Sequence, residues 1–244
     1  MNNQQKVAIV TGGSSGLGAH ISEFLINENF SVVMTYSTSK SKGEKLSKKL
    51  SKKGNILLAH LDVSKSSQVE KLVKKTISKF GRIDLLINNA GIHIDSTIAK
   101  MKNSEWKTVI DVNLTGTFNF SKLVIPIMTT QKFGRIINIS SFTAFMGVPG
   151  ASNYAASKAG VVALTKSLAK EVARYGITVN SIAPGYFDIG MFHDFDIETK
   201  KKLLSQIPAR RLGQSNEITE LIKLINDSSY LTGQIFTLDG GLSA

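Results

Sequence analysis

The chain has 244 residues, 42% of them hydrophobic, with 4 prolines and no cysteine. That composition supports one sizeable α/β core and excludes disorder, disulfides, thiolate catalysis and cysteine-bound zinc. The net charge is +12, from 30 basic and 18 acidic residues. No run reaches the ~18 apolar residues of a membrane span, and the first strand-like run starts by about residue 6, which leaves no room for a signal peptide; a cytoplasmic, membrane-free protein is the expectation.

Lys6-Val7-Ala8-Ile9-Val10 reads as a short buried strand, followed at once by Thr11-Gly12-Gly13-Ser14-Ser15-Gly16-Leu17-Gly18 and then by apolar residues at helical spacing over 17–28. Strand, glycine-rich turn and helix are the context of a dinucleotide site: glycine lets the backbone approach a pyrophosphate, and the helix N-terminus offers free N–H groups and a positive dipole end. Here the spacing is G-x-x-x-G-x-G over Gly12, Gly16 and Gly18. A second strand over 31–35 leads into Ser37-Thr38-Ser39-Lys40, with Lys42 beyond. An acid at that place would bond both ribose hydroxyls and repel a 2′-phosphate. None is present, so NADP(H) is favoured over NAD(H).

Helices are predicted over 41–53 and 66–80, flanking a strand over 56–60 that ends at Asp62-Val63. Seven lysines and one acid, Glu44, lie between Lys40 and Lys53; Lys65, Lys71, Lys74, Lys75 and Lys79 follow. These clusters hold no arginine and few aromatic residues, so a solvated helix face is preferred to nucleic-acid binding. Attraction of acidic substrates (phosphorylated cofactors, coenzyme A, an acidic carrier protein) is the other reading. A strand over 83–87 runs into Asn88-Asn89-Ala90-Gly91, and a long helix over 104–129 contains Asn113.

The strand over 134–139 ends near Ser141, thirteen residues before Tyr154 in a helix over 153–174. Lys158 is four residues after Tyr154, on the same helix face. A phenol titrates near ~10, and an adjacent ammonium favours its ionised form. A serine hydroxyl can hold the carbonyl oxygen that the phenol protonates, so the set suits carbonyl reduction. A strand over 177–182 leads to Pro184-Gly185, helices follow over 198–205 and 215–226, and a last strand lies over 234–238. The alternation predicts a doubly wound parallel sheet with helices on both faces, in a single domain over 1–244. Every motif then stands at the carboxyl end of a strand, around one crevice.

In this order, Thr-Gly-x-x-x-Gly-x-Gly, Asn-Asn-Ala-Gly, Asn113, Ser141, Tyr154-x-x-x-Lys158, Pro184-Gly185, Thr232-Gly233-Gln234 and Asp239-Gly240-Gly241 resemble the short-chain dehydrogenase/reductase family over nearly the whole chain. The likeness is strongest to 3-oxoacyl-[acyl-carrier-protein] reductases and acetoacetyl-CoA reductases. It implies a single Rossmann-like domain that reduces a 3-oxoacyl thioester, carried on acyl carrier protein or coenzyme A, at the expense of NADPH. The alternative is another alcohol or ketone: a sugar, polyol or polyketide intermediate.

By that resemblance Tyr154 is the general acid, Lys158 lowers its pKa and bonds the nicotinamide ribose, Ser141 (rather than Ser140) holds the substrate carbonyl, and Asn113, at a local helix distortion, holds a proton-supplying water. Cofactor contacts are implied at Gly12, Ser14, Ser15, Gly16, Leu17, Gly18, Ser37, Asp62, Val63, Asn89, Ala90, Gly91, Tyr154, Lys158, Pro184, Gly185 and Phe187, with Asp62 on the adenine amino group. A homotetramer through the 104–129 and 153–174 helices is implied as well, and Lys132, Arg135 and Arg174 are placed on the carrier-docking side. Two departures stand out. Ser15 occupies the place of a basic residue common in the family's glycine turn. Ile189 stands where a threonine commonly bonds the nicotinamide carboxamide. The stretch Met191 to Thr199 is expected to be a mobile substrate loop, with His193 on its surface.

Overall fold

The computed structural model describes residues 5–189 and 196–244. In chain order the elements are β1 (Val7–Val10), α1 (Gly16–Asn27), β2 (Ser31–Tyr36), α2 (Lys40–Leu50), β3 (Ile56–His60), α3 (Ser66–Phe80) and β4 (Leu85–Asn88). Then come α4 (Asn103–Ile110), a π-helical segment (Asp111–Thr115), α5 (Gly116–Gln131), β5 (Gly134–Ile139), a 3-10 turn (Phe142–Ala144), α6 (Ser152–Val172) and β6 (Ile177–Pro184). The chain closes with α7 (Ile197–Gln206), α8 (Ser215–Asp227) and β7 (Ile235–Leu238). Most predicted boundaries lie within one or two residues of these. The helix expected over 41–53 stops at Leu50, where Ser51–Gly54 turn the chain into β3.

All seven strands pair in parallel, in the order β3-β2-β1-β4-β5-β6-β7. The expected doubly wound sheet is therefore present. Each parallel step needs a helical crossover, which coats both faces. The inner strands β1, β4 and β5 are buried along their whole length, so they read as unbroken apolar runs rather than alternating ones. One core layer contains Ile21, Leu25, Leu85, Ile182 and Ile222; the other contains Ile9, Leu86, Phe120, Met128 and Val179. The amino ends of the central strands are tied by Asp84. Its carboxylate accepts from the Val7 amide at 2.8 Å and from Nε and Nη2 of Arg82, at 2.8 and 2.6 Å.

Strand order reverses between β1 and β4, and there a crevice opens at the carboxyl ends of the strands. The helix expected over 104–129 is broken at Asp111–Thr115, where the bonding widens to π geometry around the buried Asn113. Within the described residues no helix is long and apolar enough to cross a membrane. The expected loop from Met191 falls partly outside the described residues, which omit 190–195, His193 among them; its remainder starts α7 at Ile197.

Candidate active site

A cleft of about 760 Å³ runs across the carboxyl edge of the sheet. Of the expected site residues, Asn113 alone does not line it; Gly12 to Phe187, named above, otherwise all do. Its first wall is backbone. Gly12 and Gly16 have φ of +62° and +51°, a region open chiefly to glycine. A Cβ on Gly12 would fall 3.1 Å from the Ala90 Cα, whereas one on Gly16 would meet nothing within 4 Å. A Cβ on Gly18 would run into the Gly12 carbonyl oxygen and lie 2.6 Å from Asn89 Nδ2. Thr11 locks this turn to β4: its Oγ1 accepts from the Asn89 and Ala90 amides, both at 2.9 Å, while Asn89 Nδ2 donates to the Thr11 carbonyl at 2.8 Å. The Gly12 amide donates to Thr35 Oγ1 at 3.0 Å. The result is a tight glycine-rich cradle at the N-terminus of α1, which suits a phosphate-bearing cofactor.

The far side of that wall holds Tyr36, Ser37, Thr38 and Ser39. No acid stands among them. Lys40 and Lys42 lie beyond the lining, in the first turn of α2, and Lys40 faces Glu44 at 3.9 Å. Asp62 lines the cleft with one carboxylate oxygen engaged by the Ser64 amide at 2.9 Å. Val63 fills the space a Cβ on Gly116 would need.

The reaction end is built from side chains. Lys158 is buried, its Nζ donates to the Ile139 carbonyl at 2.8 Å, and it stands 5.5 Å from the Tyr154 ring centroid. A Cβ on Gly91 would be 3.4 Å from both Lys158 Nζ and Asn113 Oδ1, so Gly91 lies between these two side chains. Ser141 caps the 3-10 turn: its Oγ accepts from the Thr143 amide at 3.2 Å. Its side chain and that of Tyr154 both line the cleft. The rival, Ser140, donates its hydroxyl to the Lys158 carbonyl at 2.9 Å and serves to hold α6. Asn113 has its side chain fully used, accepting from the Ile92 amide at 2.8 Å and donating to the Ile92 carbonyl at 2.9 Å and to Ser157 Oγ at 3.0 Å. It shapes the cleft by gripping Ile92 and does not face into it.

One expectation is corrected in direction. Proximity to Lys158 suggested a lowered Tyr154 pKa; burial instead pushes the phenol up, the Ser141 hydrogen bond opposes that, and the Asp95 carboxylate adds to it. Burial also brings Lys158 down to about 8. Low polarity drives both groups toward their neutral forms. The phenol is thereby kept as a proton donor.

Other corrections concern the margins. Arg135 is buried, its Nε donating to the Asn226 carbonyl at 3.0 Å, and so is no docking residue. Lys132 and Arg174, which precede β5 and β6, are both exposed. Phe187 is buried against Gly213, and Ile189 lines the cleft while packing on the core. Ile189 has no hydroxyl to offer a carboxamide. The sequence reading missed His93 and Asp95, which both line the mouth with Nδ1 and Oδ1 3.4 Å apart. Their i, i+2 spacing straight after Asn-Asn-Ala-Gly was the available signal.

Comparison with known proteins agrees with this geometry. A sequence model of the short chain dehydrogenase family matches residues 6–200. The chain is 40% identical over 240 residues to the 3-oxoacyl-[acyl-carrier-protein] reductase FabG of Staphylococcus epidermidis, covering 97% of this chain and 98% of that one. Identity is 40% over 241 residues to the 3-oxoacyl-[acyl-carrier-protein] reductase of Synechocystis, with 97% and 96% covered. Against FabG of Thermotoga maritima it is 37% over 244 residues, with 99% of each chain covered. A glycine cradle on the first strand, a Ser-Tyr-Lys set across the cleft and near full-length relatives place one conclusion beyond the fold: the chain belongs to the short-chain dehydrogenase family and is an oxidoreductase that works with a nicotinamide cofactor.

Proposed function

We propose that this protein reduces a 3-oxoacyl thioester, on acyl carrier protein or coenzyme A, to the 3-hydroxyacyl form with NADPH. The observation that carries the reading is the convergence of Ser141, Tyr154 and Lys158 on the cleft that the glycine turn opens, with Lys158 Nζ 5.5 Å from the Tyr154 ring centroid. The printed names of the near full-length relatives supply the substrate class.

A nicotinamide cofactor supplies, when bound, hydride to the carbonyl carbon. The chain's residues do the rest. Gly12, Ser14, Ser15, Gly16, Leu17 and Gly18 would hold the phosphates on the α1 N-terminus, Asp62 and Val63 the adenine, and Asn89, Ala90 and Gly91 the middle of the molecule. Pro184, Gly185 and Phe187 would shape the nicotinamide end, with Ile189 an apolar wall there. Hydroxyls rather than an acid at Ser37, Thr38 and Ser39 favour NADP(H), since no carboxylate repels a 2′-phosphate. Ser141 donates to the carbonyl oxygen, a bond that strengthens as negative charge develops there. Its own oxygen is polarised by the Thr143 amide. Tyr154 gives its proton to the same oxygen, which completes the alcohol. Lys158, 5.5 Å from the Tyr154 ring centroid, would hold the cofactor ribose and steady the phenolate left behind.

Oligomerisation is part of the reading. Phe118 and Trp106 are 45% and 40% exposed, and Ala156, Ala159 and Ala163 form an uncovered stripe on α6. A homotetramer would bury both helices. A cytoplasmic setting and no nucleic-acid role complete the proposal.

NADPH oxidation is measured with acetoacetyl-CoA and then with a carrier-linked 3-oxoacyl chain, and repeated with NADH. Turnover of the thioesters with NADPH preferred is expected. Turnover of a sugar or polyol ketone without thioester turnover would move the reading to that second class, and no turnover of any carbonyl would end it.

A further inference from the structure

Tyr154 is held at both ends of its own backbone. Its amide stands in the first turn of α6, where N–H groups have no partner within the helix. Asn153 Oδ1 accepts from that amide at 2.7 Å. The other end of the same side chain, Nδ2, donates to the Ile94 carbonyl at 2.9 Å. The Tyr154 carbonyl accepts from Ser157 Oγ at 2.7 Å. Such a bond back to the carbonyl three residues earlier is a common habit of helical serine. Here it is also a link, because Ser157 Oγ accepts from Asn113 Nδ2 at 3.0 Å and Asn113 grips the amide and the carbonyl of Ile92.

Both links end on one stretch of chain. Residues 91–97 form neither helix nor strand, so their backbone groups must find partners elsewhere. Ile92 finds them in Asn113 and Ile94 in Asn153. A third tie runs from the Ser96 amide to the Gly150 carbonyl, at 2.8 Å, in the loop before α6. From this stretch Ile92, His93 and Asp95 line the cleft that Tyr154 lines. Asn153, Ser157 and Asn113 are buried and stay out of the lining.

We propose that Asn153 and Ser157 are positioning residues that lock the Tyr154 backbone to the 92–96 stretch, so that the acid and this wall of the cleft are set as one unit. The inference rests on Tyr154 being the proton donor. Neither side chain reaches the cleft, so each acts through Tyr154. Capping of α6 does not by itself call for asparagine. An aspartate accepts from an amide in the first turn equally well and suits the helix dipole there. It has no N–H for the Ile94 carbonyl, so the amide nitrogen of Asn153 is what makes the link.

The test uses Asn153→Ala, Asn153→Asp, Ser157→Ala and the Asn153→Ala/Ser157→Ala pair in the full chain. The turnover of acetoacetyl-CoA is measured at saturating NADPH, NADPH affinity by fluorescence titration, and backbone hydrogen exchange without cofactor or substrate. Each single variant lowers kcat by about 10- to 100-fold, the usual cost of moving a reacting group by about 1 Å. NADPH affinity stays within about threefold of native, as expected when only a transition-state contact is lost. Exchange at residues 92–96 speeds up by about tenfold or more in each variant, Ser157→Ala included. Because both links set the same phenol, the double variant lies within about threefold of the slower single one. Native kcat in Asn153→Asp would reduce Asn153 to a helix cap and overturn the proposal. So would losses that multiply in the double variant, or exchange in Ser157→Ala that quickens in α6 alone. Full activity in Tyr154→Phe would instead remove the assignment of the acid, a separate failure.

Discussion

Around the glycine turn the wall of the cleft is mainly backbone; around Tyr154 it is side chain. The first is contiguous in sequence, seven residues from Gly12 to Gly18 bent by two positive φ angles and locked by Thr11 to the neighbouring strand. The second draws Ser141 from just after β5 and Tyr154 and Lys158 from α6, with Asn113 supporting them from behind the wall. The difference teaches where tolerance lies. A backbone cradle fails where an added atom meets its packed side, as at Gly18, whereas a side-chain site fails when a function is removed or its electrostatics change.

Three experiments break or sharpen that contrast. Tyr154→Phe removes one oxygen from the reaction end. Reduction should fall by about 10²- to 10⁴-fold, the usual worth of a positioned acid, while NADPH affinity, measured by fluorescence titration, stays near native. Loss of both together would mean that the two ends are not separable. Next, Gly18→Val adds atoms where even a Cβ meets the Gly12 carbonyl. Overpacking of this kind costs about 1–3 kcal/mol of stability, and cofactor affinity should collapse; a thermal melt close to native with intact NADPH binding would refute the picture of a closed cradle.

The smallest effect concerns Lys158, whose folded pKa of about 8 is below its ordinary 10.5. The unfolded chain then binds more protons than the folded one between those two values, so stability rises with pH across that window. Below about pH 8 the cost of burying the ammonium is fully present, at most about 3 kcal/mol by linkage. Denaturation of the native protein and of Lys158→Met should therefore show a stability difference that changes by up to that amount, in favour of the native protein, as pH rises from about 7 to 10.5. A difference flat in pH would mean that the lysine keeps its charge at little cost.

The legible parts of the molecule were those whose physics is local. Val7–Val10 followed by a glycine turn announces itself, because an apolar run must be buried and a glycine cluster must turn. The four-residue spacing of Tyr154 and Lys158 set them on one helical face before any fold was known. Ile189 stood out as a residue without a hydroxyl, and it does line the cleft. Arg135 misled for the opposite reason: an arginine in a sequence looks like surface, and nothing local says that the Asn226 and Gly134 carbonyls will solvate it in the interior. His93 and Asp95 were passed over because their meaning depends on anchors at Asn113 and Asn153, some 20 and 60 positions away.

By itself the sequence determined the alternation of strand and helix, hence a parallel sheet, and with it the convergence of the motifs at one edge; periodicity and turn chemistry act over a few residues and need no partner. Only the tertiary structure decided the charge state of the site. Whether Tyr154 sits above or below an ordinary phenol depends on how much water is excluded around it and on which charges stand across the cleft, and both are sums over residues distant in the chain.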